Sequence, residues 1–160
     1  MSTIKAKRSL RDFLGINMSS KNRSENVPEI LLAFMKEMNA WENDFFDRRK
    51  QILSKGLDDS KLKNEYAKRL GGVLNKYVVK DKANYGRLID LGCTKPATYD
   101  SDTDEIKVLE KGDVSLTVQM QQVRGAETVS RIYLVHKKDG WKIKKKEILT
   151  FDEKWRRAPL

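Results

Sequence analysis

Apolar and polar residues alternate between positions 114 and 121, a pattern typical of a strand with one buried face. The apolar members are Val114, Leu116, Val118 and Met120, and the polar members are Ser115, Thr117, Gln119 and Gln121. Arg124-Gly125 then predicts a turn, Thr128–Val135 is rich in β-branched residues, and Asp139-Gly140 is a strong hairpin signal. The segment 114–149 therefore predicts a three-stranded antiparallel meander, against which the rest of the chain packs.

Two amphipathic helices are predicted before this meander. Asn26 is a suitable N-cap and Pro28 a suitable first-turn residue for a helix that runs to about Leu53. Its apolar stripe consists of Leu31, Phe34, Met35, Met38, Trp41, Phe45, Ile52 and Leu53. Gly56 ends this helix, and a second helix begins near Asp58–Ser60. Its buried side consists of Leu62, Tyr66, Leu70, Val73, Leu74 and Tyr77, and close helix packing or a kink would explain the internal Gly71-Gly72.

The segment between the helices and the meander predicts a short strand at Leu88–Leu91 and another at Ile106–Leu109. Between these two lies an acidic stretch, which consists of Asp100, Asp102, Asp104 and Glu105. Asp at alternate positions is typical of the start of a calcium loop, but the sixth position is Glu105 rather than Gly, and the twelfth is Lys111 rather than Glu. The acidic stretch is therefore predicted to be a solvated turn.

The length of 160 residues corresponds to one domain, and the net charge of +10 is concentrated in two places. Residues 1–24 carry six Lys/Arg and one acid, and residues 137–157 carry nine Lys/Arg and four acids. We therefore expect a mobile basic arm over 1–24, either merely solubilising or binding nucleic acid or a partner, and a single domain over 25–160. The chain contains no apolar run long enough for a membrane helix, no secretory signal and a lone Cys93, which together predict a cytoplasmic protein.

The second basic cluster surrounds the Asp139-Gly140 turn. Its members are Lys137, Lys138, Lys142, Lys144, Lys145 and Lys146, with Trp141 and Ile143 at the alternate inward positions. Outward lysines either follow a phosphate backbone or protect a sheet edge and keep the protein soluble, and we favour the second interpretation. The single histidine, His136, has no neighbouring Cys or acid at ligand spacing, so it is predicted to be a surface residue. We predict no catalytic residue, no metal site and no cofactor.

Two helices followed by a long antiparallel sheet resemble the cone-shaped nuclear-transport-factor-2-like fold. The predicted fold class is α+β, with N-terminal helices packed in a strongly curved, mostly antiparallel sheet of four to six strands. The residues expected to be buried are Trp41, Phe45, Leu116, Val118, Ile132, Leu134, Trp141 and Ile143. Isomerases of this fold need an acidic base inside the cone, and the sequence shows none. A cone-pocket enzyme, a ligand-binding protein and a nucleic-acid binder stay as alternatives.

The order of short patterns along residues 28–160 resembles the bacterial immunity proteins of this fold that accompany polymorphic toxins. The patterns are Phe34-Met-Lys-Glu-Met-Asn-Ala-Trp41-Glu42, Tyr85-Gly86-Arg87-Leu88, Tyr99-Asp100, Ile106-Lys-Val108, Val118-Gln-Met-Gln-Gln122, the run Tyr133–Glu147 and Lys154-Trp155. The resemblance implies a non-catalytic inhibitor that binds and blocks a cognate toxin domain.

The contact surface expected for such an inhibitor is the outward side of the meander. Its members are Thr117, Gln119, Gln121, Arg131 and Tyr133. Arg131 and Tyr133 are the preferred contact residues, because Arg and Tyr most often dominate interface energies. The second choice is the acidic turn with Asp100, Asp102 and Asp104. An ordinary solvated sheet face, and a homodimer through the sheet, stay open.

Overall fold

The structure is a computed structural model that describes residues 27–160. It contains the helices α1 (Glu29–Ser54), α2 (Ser60–Tyr77) and α3 (Arg87–Asp90), followed by the strands β1 (Glu105–Lys111), β2 (Ser115–Gln121), β3 (Val129–Lys137), β4 (Gly140–Leu149) and β5 (Trp155–Ala158). The five strands form one open sheet in the order β1-β2-β3-β4-β5, with every neighbouring pair antiparallel. This confirms the α+β class. The predicted arm over 1–24 and the Asn26 cap lie outside the described residues.

The two long helices begin and end close to the predicted positions, because their apolar stripes can be buried only against each other and the sheet. Leu31, Phe34, Met38 and Phe45 of α1 are fully buried. Trp41 contacts α2 directly, since its indole nitrogen donates a 2.8 Å hydrogen bond to the backbone oxygen of Tyr66. The ring of Tyr66 in turn stacks on Phe45, with centroids 5.1 Å apart.

The internal glycines of α2 have a different role from the one expected. A Cβ atom added at Gly71 or Gly72 would have no heavy atom within 4 Å, so close helix packing does not explain either glycine. That part of the sequence prediction is wrong, because the helix face at these positions is open.

The register of the meander follows the alternation seen in the sequence. Leu116 of β2 lies opposite Leu134 of β3, and Val118 lies opposite Ile132, with all four side chains buried on the face that carries the helices. Gly140 adopts φ +109° in the β3–β4 turn, which confirms the hairpin signal there. Of the eight residues predicted to be buried, seven are buried and Trp141 is half-buried.

The strand predicted at Leu88–Leu91 is wrong. Residues Arg87–Asp90 form one short helical turn, Ile89 is 83% exposed, and Leu91 adopts a left-handed conformation with φ 50°. The reason is the side chain of Arg87, which is drawn inward to a buried partner and to the backbone oxygen of Gly92, 2.8 Å from its Nε atom. An apolar pattern of four residues cannot distinguish this turn from a strand.

The buried partner of Arg87 is Glu42 of α1, which is 0% exposed. Its Oε1 atom lies 2.7 Å from the Arg87 guanidinium. The same carboxylate accepts hydrogen bonds from the backbone nitrogens of Thr94 (2.7 Å) and Thr98 (2.9 Å) and from both threonine hydroxyls. One side chain thereby fixes the loop 92–98 against the middle of α1.

A β-bulge changes the alternation of β4. Tyr133 pairs with Lys145 and Leu134 pairs with Ile143, which leaves Lys144 without an opposite residue. The extra residue moves the following side chains to the other face, because strand side chains alternate with a period of two. Lys146, predicted to point outward, is therefore buried on the helix-bearing face with only 6% of its surface exposed.

Candidate functional site

The side of the sheet that faces away from the helices is called the outer face here. Its polar and aromatic members include Thr117, Gln119, Gln121, Arg131, Tyr133, Lys145, Glu147 and Trp155. They share this face because they alternate along β2, β3, β4 and β5 with the residues that face the helices. Three pairs of neighbouring strands contribute them, so each backbone position is fixed by cross-strand hydrogen bonds.

Arg131 lies at the centre of the outer face. Its guanidinium carbon is 4.0 Å from the centroid of the Trp155 ring, and its Nε atom donates a 3.3 Å hydrogen bond to Oε1 of Gln119. The side chain is half-buried. The stacking and the hydrogen bond together hold the guanidinium in one orientation.

Tyr133 is held equally firmly one row along the sheet. Its hydroxyl donates a 2.5 Å hydrogen bond to Oε1 of Glu147, and the Lys145 ammonium lies 4.5 Å from the ring centroid. Burial, together with the hydrogen bond to the Glu147 carboxylate, raises the pKa of the Tyr133 hydroxyl above its usual value of 10.0. The hydroxyl therefore remains protonated near neutral pH and acts as a donor.

Two of the five outward residues expected from the sequence are not accessible. Gln119 is 3% exposed and Gln121 is 1% exposed, so the expectation that they project into solvent is wrong. Gln121 donates two 2.9 Å hydrogen bonds from Nε2 to the backbone oxygens of Gln122 and Glu127, and this ties it to the β2–β3 loop. Thr117, Arg131 and Tyr133 stay half-buried at the surface.

The acidic turn is also less exposed than predicted. Asp104 is 7% exposed, and its Oδ2 atom accepts a 2.9 Å hydrogen bond from the backbone nitrogen of Asp100. Burial raises the pKa of Asp104 from 3.8 to about 6. Asp100 is half-buried and accepts a 3.0 Å hydrogen bond from the backbone nitrogen of Asp102. Of the three predicted side chains, only that of Asp102 is exposed.

Three residues of the outer face were missed as contact candidates by the sequence reading. Lys145 and Glu147 reach this face only because of the bulge at Lys144, and nothing in the local pattern signals that bulge. Trp155 lies on β5, a strand of four residues that is too short to show alternation. The only feature of the sequence that could have marked Trp155 as a contact residue is its residue type, since tryptophan is common at the centres of interfaces.

The remaining sequence predictions concern histidine, metals and membranes. His136 is exposed and packs edge-to-face on Trp141, with centroids 5.2 Å apart, which confirms a surface histidine. Among residues 27–160, no cluster of three or more His, Cys, Asp or Glu side chains has an arrangement suited to a metal ion. In the same part of the chain, none of the helices has the length and apolar character required to span a membrane.

Comparisons with known proteins agree with this architecture. A family model described as "NTF2 fold immunity protein" matches residues 26–159. The chain is also similar to "Immunity protein RhsIA" from Dickeya dadantii (strain 3937), with 29% identity over 139 residues, which cover 86% of this chain and 96% of the relative. No solved structure matches.

Proposed function

This chain belongs to the family of NTF2 fold immunity proteins, which neutralise toxins, and we propose that it blocks its cognate toxin domain through the outer face of its sheet, without catalysing a reaction. Arg131, Tyr133 and Trp155 form the centre of this contact surface, and Thr117, Lys145 and Glu147 surround them. The proposal places the complex in the cytoplasm of the cell that produces the toxin.

The observation that carries the proposal is the fixed geometry of Arg131 and Tyr133. Binding normally costs side-chain entropy, about 0.5–1.5 kcal/mol for each long side chain that becomes ordered at an interface. Here Arg131 is already stacked on Trp155, and Tyr133 is already hydrogen-bonded to Glu147, before any partner arrives. Most of that cost is therefore met during folding, and the residue types are those that most often dominate interface energies.

The rigid sheet also suits a blocking mechanism. An inhibitor that works by occlusion needs a surface that keeps its shape when the toxin binds, and paired strands provide one. Lys145 and Glu147, which are half-buried beside Tyr133, offer a donor and an acceptor at the edge of the contact, where surrounding residues shield the central contacts from water. We expect the toxin to present complementary polar groups around an apolar or aromatic contact with Trp155.

The proposal is tested by co-expression with the candidate toxin, taken as the variable carboxyl-terminal domain of a large secreted protein encoded beside this chain. The wild-type chain should rescue growth, and Arg131→Glu combined with Tyr133→Ala should abolish the rescue. Each residue is expected to contribute about 2 kcal/mol or more, so the affinity measured by calorimetry should fall by about a thousandfold. Circular dichroism and thermal unfolding establish that the double variant is folded.

Matched variants distinguish this surface from the rest of the molecule. Lys68→Glu reverses a charge on the exposed side of α2 and should leave rescue intact. Asp102→Lys tests the acidic turn as the alternative contact surface. Full protection by the folded Arg131→Glu/Tyr133→Ala variant would refute the outer face as the contact surface. If Asp102→Lys then abolished rescue, the interface would lie at the acidic turn.

A further inference from the structure

The bulge at Lys144 brings a lysine into the interior of the protein. Lys145 lies on the outer face opposite Tyr133, whereas Lys146 lies opposite Ile132 on one side and Ala158 on the other, on the face that the helices cover. Bulges commonly redirect a side chain next to a functional site. Without this one, the strand would place Lys145 inside and Lys146 in solvent, so the bulge selects which ammonium is buried.

The Lys146 ammonium is incompletely satisfied where it lies. Its Nζ atom donates a 3.0 Å hydrogen bond to the hydroxyl of Tyr99 and lies 4.6 Å from the centroid of that ring. An ammonium has three donors, and burying one without a counter-ion is costly. Among residues 27–160, no carboxylate oxygen lies within 4.0 Å of Nζ. Asp104 interacts with Lys146 from beyond that distance and does not line the cavity described next.

Tyr99 is itself fixed, so the position of the ammonium is well defined. Its ring is 1% exposed and packs edge-to-face on Phe34, with centroids 5.3 Å apart. Its backbone oxygen accepts a 2.7 Å hydrogen bond from Nδ2 of Asn39. The Tyr99 hydroxyl is therefore a rigid acceptor that directs Lys146 rather than a mobile group that could replace an anion.

The ammonium and the Tyr99 ring line a cavity of about 420 Å³ between the sheet, the loop after α3 and the carboxyl-terminal segment. Its apolar wall includes Met120, Ile148 and Leu160. Sites for small organic ligands are usually about 300–1,000 Å³ in volume, mostly apolar, with few polar groups that fix the orientation of the ligand. The other cation in the lining, Arg87, is already neutralised by Glu42. The lining also contains one carboxylate, Asp90, whose Oδ1 atom accepts a 3.0 Å hydrogen bond from the backbone nitrogen of Gly92. Lys146 is thus the lining cation that has no ion-pair partner in direct contact among residues 27–160.

We propose that this cavity binds a small organic acid, whose carboxylate pairs with the Lys146 ammonium and whose apolar body lies against Met120, Ile148 and Leu160. The ligand carboxylate supplies a counter-charge in direct contact with the ammonium, and the apolar body removes hydrocarbon surface from water. This inference does not rest on the outer face, because the cavity lies on the opposite side of the sheet. A negative result for ligand binding therefore leaves the proposed toxin contact untouched, and the reverse also holds.

The test is isothermal titration calorimetry of the purified full chain with octanoate and with octanamide, its uncharged counterpart. We expect octanoate to bind one site per chain at least about tenfold more tightly than octanamide, which is the range for a hydrogen bond to a charged group. Lys146→Gln should abolish this preference. Lys144→Gln, on the same strand but exposed, should retain it.

A comparison within the wild-type protein keeps the test decisive if Lys146→Gln does not fold. Octanoate should protect the chain against thermal unfolding more than octanamide does at the same concentration, because a ligand that binds the native state stabilises it. Equal affinity for the acid and the amide, no binding of octanoate to the folded wild-type chain, or an unchanged preference in folded Lys146→Gln would overturn the proposal.

Discussion

Replacing Glu42 with glutamine removes one charge from the centre of the fold while preserving the shape of the side chain. The Glu42 carboxylate is fully buried and receives the Arg87 guanidinium at 2.7 Å, two backbone N–H groups and two threonine hydroxyls. Every neighbour is a donor. A glutamine amide keeps one acceptor oxygen but turns an NH₂ donor toward this set, and it leaves the Arg87 charge uncompensated.

The expected loss of stability follows from these contacts. Breaking a buried ion pair by removing one partner costs about 3–5 kcal/mol, because the remaining charge stays buried without a counter-charge. With a typical urea m-value of about 2 kcal/mol/M, a loss of about 3 kcal/mol lowers the unfolding midpoint by about 1.5 M. Since folded domains are stable by about 5–15 kcal/mol, Glu42→Gln removes a large fraction of the total.

Urea unfolding followed by tryptophan fluorescence measures this loss, and Glu37→Gln on the same helix is the matched control. Glu37 forms a partly exposed ion pair with Lys76 at 3.4 Å, so its substitution should cost less than about 1 kcal/mol. In a double-mutant cycle, adding Arg87→Met to Glu42→Gln should cost much less than Arg87→Met alone. If the two glutamine variants lower the unfolding midpoint equally, the buried Glu42–Arg87 pair contributes no more stability than the exposed Glu37–Lys76 pair, and the prediction is wrong.

Further predictions concern backbone conformation and pH. Gly71→Ala and Gly72→Ala should each raise the free energy of unfolding by about 0.5–1 kcal/mol, since both positions are helical with open space around the added Cβ. Gly140→Ala should lower it by about 1–3 kcal/mol, because φ +109° strains any L side chain; thermal unfolding measures both signs, and a stable Gly140→Ala would contradict the turn geometry. Burial raises the pKa of Asp104 from 3.8 to about 6, so the native state retains a proton that the unfolded chain releases, and stability from this group falls as the pH rises through that window. The free energy of unfolding of Asp104→Asn, relative to that of the wild-type chain, should therefore rise by up to about 3 kcal/mol between pH 4 and pH 7 in urea titrations. If the two free energies change with pH in parallel, the pKa of Asp104 is not raised by folding.

The structure explains the role of one sequence pattern behind the family resemblance, the Trp41-Glu42 pair of α1. Trp41 and Glu42 are adjacent on α1, and both are buried. Trp41 joins α1 to α2 through the Tyr66 backbone oxygen, whereas Glu42 joins α1 to the loop 92–98. The sequence shows the pair only as part of a helix, and a charged residue beside a buried tryptophan gives no sign of which partner it meets 52 or 56 positions later.

What the sequence determined by itself is the class of fold and the register of the meander. Helix stripes and strand alternation are set by the geometry of each backbone, so Phe34 and Phe45 on α1, and Leu116 and Val118 on β2, are assigned correctly from local spacing. Burying these faces against one another allows few arrangements, and the α+β layering follows.

Only the tertiary structure decided which polar side chains are accessible. A single unpaired residue, Lys144, exchanges the sheet faces on which Lys145 and Lys146 lie. Both residues are lysines, so the sequence gives no sign of which one is buried. Gln119 occupies an outward position but is covered where Arg131 stacks on Trp155, a contact between strands far apart in sequence. Local spacing fixes the face of a residue, whereas its burial and charge pairing depend on neighbours that the fold brings together, and the candidate site is made of such neighbours.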